Sequence, residues 1–283
     1  MSTLPLRNAF TIDVEDYFQV SALAPHYPPH TWDAQQCRIE RNVNRMLDML
    51  AEADTHATFF TLGWVAERYP QLVKRIVAEG HELASHGYGH QRASDLSPTE
   101  FLDDISRAKN ILEDLGGHAV VGYRAPSFSI GAKNLWALDS LAEAGYSYSS
   151  SIYPIRHDHY GMPDAPRFAF RHQGTRNLLE LPATTIRLFD RNLPAAGGGY
   201  FRLLPYQLSR WSINRVNLTD NQPCIFYCHP WEIDPDQPRP TGMKLKTRFR
   251  HYVNLSRTEA RLQRLLKDFR WGRVDEIFLR SAN

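Results

Sequence analysis

The chain has 283 residues, 42% hydrophobic and 23% charged, an ordinary globular composition with material for an enzyme-sized core. Its net charge is +2 with 12 histidines uncounted, so the whole-chain balance makes no electrostatic case for nucleic acid or an anionic membrane surface. Cys37, Cys224 and Cys228 are too few for a disulfide framework, form no C-x-x-C and read as small buried side chains.

In chain order, a polar start (Met1 to Asn8) runs straight into strand-like sequence at Ala9 to Val14. It does not read as a signal peptide, and no apolar run approaches the ~18 residues of a membrane span. The expectation is therefore a cytoplasmic protein. After a proline-rich stretch, Ile39, Val43, Met46, Leu47 and Leu50 recur at helical spacing. A β-branched and aromatic strand follows at His56 to Leu62, then one helix from about Trp64 to a glycine stop at Gly80, then a strand at His81 to Ser85. Ser97-Pro98-Thr99-Glu100 is a capping box with proline at the first helical position, and it opens a helix ending at Gly116-Gly117.

Further strands are expected at Ala119 to Tyr123, Tyr146 to Ser150, Leu178 to Thr184, Cys224 to Cys228 and Val274 to Phe278. Helices are expected at Lys133 to Ala144 and Ser256 to Phe269. Arg156 to Gln173 reads as irregular and Gly197-Gly198-Gly199 as a flexible stretch. Lys244, Lys246, Arg248 and Arg250 read as a solvated face. Eight strands with interleaved helices predict α/β architecture with parallel βα units in one domain, residues 1–283, as a barrel or an open doubly wound sheet.

Parallel α/β folds keep their sites at the carboxyl ends of strands. There this sequence has Asp13-Val14-Glu15-Asp16, Ser85-His86 through His90, Arg124-Ala125-Pro126, and His229-Pro230-Trp231-Glu232. Two imidazoles four residues apart, with glycines between, can face one metal, and one carboxylate would complete an open catalytic set. Clustered carboxylates are costly to bury without a cation. Arg124 before Ala125-Pro126 can hold a carboxylate with two hydrogen bonds. Any one of these could be a solvated or structural residue; the four together are far less expected by accident than any one.

These elements, in this order, resemble the polysaccharide deacetylases with a NodB-type domain, carbohydrate esterase family 4. Asp-Val-Glu-Asp-Tyr-Phe, Arg124 to Ile130, Ser150 to Pro154, Gly197 to Arg202 and His229 to Asp234 are similar to the branch found in exosortase-associated exopolysaccharide loci. The resemblance covers about residues 9–234, with the helix and strand of 255–278 completing the fold. It implies a distorted (β/α)7-8 barrel and metal-dependent hydrolysis of N-acetyl groups on an exopolysaccharide or its precursor.

Carried over residue by residue, it makes Asp13 the general base, Arg124 its positioning partner and His229 the acid that protonates the leaving amine. His86, His90 and a carboxylate would hold a divalent metal, zinc being the expected ion. Where the family has adjacent aspartates this chain has Asp-x-Glu-Asp. Strand alternation favours Glu15; a turn after Val14 favours Asp16, towards which the shorter side chain tips the choice. The family's usual partner for the late histidine is missing near Ser149 to Ile152, leaving Glu232 or Asp158 to substitute. Pro126, Tyr200 and Trp231 are expected to bind sugar, with Phe128 and Phe201 as further candidates. The partner is an N-acetylated glycan rather than nucleic acid, with oligomeric state open. The competing readings are a ring-amide hydrolase of the allantoinase-like type and a non-catalytic carbohydrate-binding scaffold.

Overall fold

The strongest local signals become the best-defined elements of the computed structural model, which describes residues 6–158, 160–173, 178–195 and 197–279. Strand β1 (Arg7–Val14) is buried along all but its first residue, its apolar Ala9, Phe10, Ile12 and Val14 sharing the interior with Asn8, Thr11 and Asp13. Helix α1 (Ile39–Glu52) buries the predicted stripe. Strand β2 (Thr58–Thr61) leads to two helices instead of the single one expected: α2 (Gly63–Arg68) and α3 (Pro70–Ala78). Pro70 lacks an N–H and starts a new helix at its first turn. Strand β3 (Glu82–Ser85) precedes α4 (Pro98–Gly116), which has the Ser97–Glu100 capping box at one end and left-handed Gly117 at the other.

Then come β4 (Gly122–Tyr123), α5 (Trp136–Glu143), β5 (Tyr148–Ser149), β6 (Phe170–Arg171) and β7 (Leu179–Glu180). Strands β8 (Thr185–Leu188) and β9 (Arg191–Pro194) form a hairpin the sequence did not announce. Its turn residues Phe189 and Asp190 both have positive φ, the geometry of a type I′ turn without the usual Asn-Gly signature. Helices α6 (Gly198–Leu203) and α7 (Tyr206–Arg215) follow, then β10 (Ile225–Cys228), α8 (Leu245–Tyr252), α9 (Leu255–Asp268) and β11 (Arg270–Gly272). The glycine stretch at 197–199 is thus a helix start. The expected strand at Val274 to Phe278 is a helical turn over Asp275–Leu279; the strand lies just before it.

The chain forms two compact units. In the first, residues 1–57 and 195–283, β1 is the centre of a parallel sheet, flanked by β10 and β11. Phe10, Phe226 and Trp271 pack ring on ring across these strands. In the second, residues 58–194, parallel strands run in the order β2-β3-β4-β5-β7, with β6 antiparallel at the edge. A core including Leu83, Phe101, Ile105, Leu112, Tyr123 and Leu138 lies between these strands and α2 to α5. In each unit the parallel strands point their carboxyl ends the same way, so the polar residues that follow them collect at one end.

Candidate active site

The first unit gathers carboxylates around one imidazole. Asp13 and Glu15 leave the end of β1, and His229 leaves the end of the neighbouring β10, whose register pairs Ile12 with Cys228. His229 Nε2 lies 3.8 Å from an Asp13 oxygen and 3.6 Å from Glu15 Oε1, and Nδ1 lies 3.3 Å from Glu232 Oε2. Burial pulls the His229 pKa down. The hydrogen bond and charge of Glu232, helped by Glu15 and Asp13, outweigh it and push the value up to about 9. The imidazolium is therefore the resting form at neutral pH.

Glu232 is itself fully enclosed and stays ionised. Burial opposes its charge, but Arg202, which donates from Nε at 2.7 Å, and His229 bring its pKa down to about 2. Arg202 spends its other donors on the carbonyls of His251, Val253 and Arg250. Of the two substitutes expected for the missing partner, Glu232 holds His229 while Asp158 is an exposed residue of the second unit. Arg202 closes the Gly197-to-Arg202 stretch that carries the resemblance, but its role was not foreseen, because its partner Glu232 lies 30 positions away in sequence.

Trp231 was expected to line a sugar subsite, and the structure corrects this. Its indole is only 4% exposed and stacks on His229 (centroids 5.1 Å apart) and His251 (4.4 Å). Its Nε1–H donates to Glu15 Oε1 at 3.1 Å. This tryptophan aims a carboxylate. Phe201 and Phe128 are likewise buried, whereas Tyr200 on α6 is half-buried. Pro126 is buried and opens a short helical turn after β4.

Asp16, expected to bind the metal, is engaged locally. It caps the turn at Tyr17–Gln19, taking the Tyr17 N–H on one oxygen and the Arg38 N–H on the other. Burial pushes its pKa up against those bonds. A carboxylate whose two oxygens already accept backbone donors is poorly placed to bind a cation, so the local geometry favours Glu15.

The second unit supplies the imidazoles. His86 follows β3, its N–H donating to the Thr61 carbonyl of β2. Its Nδ1 is 2.7 Å from the Arg124 carbonyl. A carbonyl only accepts, so Nδ1 carries the proton and Nε2 keeps the lone pair a metal needs. His90 packs near it, ring centroids 5.3 Å apart. The connecting loop demands glycine at 87, where φ is +77° and a Cβ would meet an Asp104 oxygen at 2.7 Å. Asp104 of α4 accepts the Tyr88 N–H at 3.1 Å, and α2 donates the N–H groups of Gly63 and Trp64 to the carbonyls of Gly87 and Tyr88. The loop carrying both histidines is fixed from two sides.

Arg124, fully buried, has its guanidinium over the Phe60 ring at 4.1 Å and donates to the Ser150 carbonyl and hydroxyl. Glu180, on β7, holds the Ser149-to-Ile152 segment by accepting the Ser151 and Ile152 N–H groups; burial raises its pKa. Like Asp104, it escaped sequence reading because it lies outside any motif.

Two family models match end to end. Residues 30–149 match the polysaccharide deacetylase model, and residues 150–279 match one described only as a domain of unknown function, DUF3473. A peptidoglycan-N-acetylglucosamine deacetylase of Bacillus cereus is 36% identical over 96 residues, 34% of this chain and 35% of that protein. A chitooligosaccharide deacetylase of Bradyrhizobium is 29% identical over 108 residues, 38% of this chain and 47% of that one. The alignments thus span a third to a half of these relatives.

Among solved structures, a Mycobacterium smegmatis protein assigned to the polysaccharide deacetylases superposes with TM-score 0.62 at 20% identity, covering 95% of this chain and 89% of its own. The PuuE allantoinase gives 0.60 at 14% identity, covering 95% and 87%. These two likenesses give the fold, the distorted βα barrel expected from sequence. Residues 30–149 thus match the polysaccharide deacetylase model, and the sequence relatives are named deacetylases of peptidoglycan and chitooligosaccharides.

Proposed function

We propose that this chain is a metal-dependent hydrolase that removes acetyl groups from an N-acetylated sugar of an exopolysaccharide or its precursor, its two units acting as one domain over 1–283. The observation that carries the reading is the His86 tautomer: Nδ1–H is committed to the Arg124 carbonyl, and Nε2 is left as a donor beside His90. Two imidazoles and a carboxylate suit a borderline divalent ion such as zinc with a position open for water. His86, His90 and Glu15 are the proposed ligands, Glu15 in place of Asp16. When bound, such an ion polarises an acetamide carbonyl and acidifies water at neutral pH.

The chain's own residues supply the rest. Asp13 takes the proton from the attacking water, and Arg124 positions that carboxylate. His229, protonated and held by Glu232, donates to the departing amine nitrogen, whose C–N bond breaks as acetate leaves. Trp231 keeps Glu15 in place. Tyr200 and Pro126 contact the sugar. The exopolysaccharide assignment rests on the resemblance of the quoted sequence stretches to the exosortase-associated branch.

The test is metal content and acetate release from chitooligosaccharides for the purified chain and three variants. His86→Ala and Glu15→Gln should each lose the metal and, with it, turnover by at least ~10³-fold, whereas Asp16→Asn should keep the metal. Acetate release that survives thorough chelation would overturn the metal's role. Allantoin hydrolysed faster than any acetylated sugar would move the reading to ring amides. Stoichiometric metal with neither hydrolysis would leave only a binding scaffold.

A further inference from the structure

The net charge of +2 conceals one segment. From Gln237 to Thr258 there are six cations (Arg239, Lys244, Lys246, Arg248, Arg250 and Arg257) and no Asp or Glu. Subtracting these six from +2 leaves the remainder of the chain at −4. Helix α8 lies in the middle of this segment and presents two large apolar side chains outward, Leu245 at 82% exposure and Phe249 at 58%. Four residues apart, they share one helical face. At 100° per residue, Arg248 flanks that pair on one side and Lys246 and Arg250 on the other.

The opposite face is fastened to the first unit. His251 is buried and bonded to Gln237, and Arg202 draws in the carbonyls of Arg250, His251 and Val253. Tyr252 donates to the Pro238 carbonyl beneath the Arg239 guanidinium. Because the inward face is pinned this firmly, the outward direction of Leu245 and Phe249 is fixed by the fold.

We infer that α8 and its flanking loop form a docking face for the surface of an anionic lipid bilayer, with Leu245 and Phe249 entering the interfacial layer and the cations contacting lipid phosphates. An apolar pair between cations on a short amphipathic helix suits that interface, where one face meets acyl chains and the other headgroups. A polyanionic polymer would attract the same cations but give Leu245 and Phe249 nothing to bury. A second copy meeting this face with its own in a two-fold pair would bring six like charges against six, so charge complementarity favours lipid. The inference stands apart from the deacetylase reading and is tested by binding alone.

The experiment is co-sedimentation of the full chain with vesicles of 30% phosphatidylglycerol in phosphatidylcholine and with pure phosphatidylcholine, at low and raised salt, beside a gel-shift against heparin. The expected result is binding to the anionic vesicles only, weakened by salt. Leu245→Ser/Phe249→Ser should reduce it at least ~10-fold while leaving heparin retention and thermal unfolding unchanged. Lys246→Gln/Arg248→Gln/Arg250→Gln should remove the salt dependence together with most of the binding.

Vesicle binding that ignores the Leu245/Phe249 change, or no binding at low salt, overturns the inference. So does a dimer in sedimentation that Leu245→Ser dissociates, since a second copy would then occupy the face.

Discussion

His229, half-buried, and His251, buried, stack on the same indole and are driven in opposite directions. His229 is pushed up to about 9 and His251 down to about 3. Burial acts downward on both. At His251 the Arg202 charge adds to burial and outweighs the acids; at His229 the hydrogen bond and charge of Glu232 reverse it. One arginine and one glutamate, themselves an ion pair, divide a small volume into a place for an imidazolium and a place for a neutral ring. Burial alone does not set the protonation of a histidine; its nearest charge does. The charged ring lies next to the proposed chemistry, and the neutral one serves as packing for Trp231 and the anchor of α8.

The contrast breaks most completely if Glu232 is neutralised. Glu232→Gln leaves Arg202 enclosed without its counter-charge and should cost about 3–5 kcal/mol of stability by chemical denaturation. In NMR titration the His229 pKa should fall below its ordinary range. Adding Arg202→Met to Glu232→Gln should recover much of that loss, because an unpaired buried charge is what costs. A single-variant loss under ~1 kcal/mol would show that the pair does not organise this region.

A milder change acts on the shared indole. Trp231→Phe keeps a ring for stacking but removes the N–H held by Glu15, and should cost roughly 1.5–3 kcal/mol. In the deacetylase assay it should lower kcat and metal affinity together, because Glu15 loses its aim. Unchanged metal affinity would detach Trp231 from the carboxylate.

Per pH unit, the smallest effect is the pH dependence that His251 adds. Unfolded, its imidazole protonates near 6.5; folded, only near 3. Between those values the unfolded chain carries the extra proton. Its contribution to stability is therefore complete above pH 6.5 and lost as pH falls towards 3, by up to about 1.4 kcal/mol per pH unit. His251→Gln should flatten the stability profile below pH 6.5 relative to wild type. A steeper profile in that variant would contradict the neutral ring.

Much of this was legible in the sequence, and what was missed has a common cause. Helices α1 and α4 were readable because an apolar stripe and a capping box are local. Strands β1 and β10 were readable because a strand buried on both faces is rich in apolar and aromatic residues. Asp13, His86, Arg124 and His229 could be nominated because each lies at the carboxyl end of an expected strand. Pro70 splits the one helix expected from about Trp64 to Gly80. The β8–β9 hairpin was hidden because Phe189 and Asp190 take positive φ without a glycine or asparagine to signal it.

What the sequence by itself determined is the alternation of strand and helix, and the residue types available at strand ends; both are written in neighbouring positions. Tertiary structure alone decided how those residues are used. It spent Asp16 on backbone N–H groups, turned Trp231 inward to hold Glu15, and set Arg202 against Glu232 across 30 positions. A carboxylate's role depends on which donors reach it in space, and side chains distant in sequence leave no periodic trace of meeting.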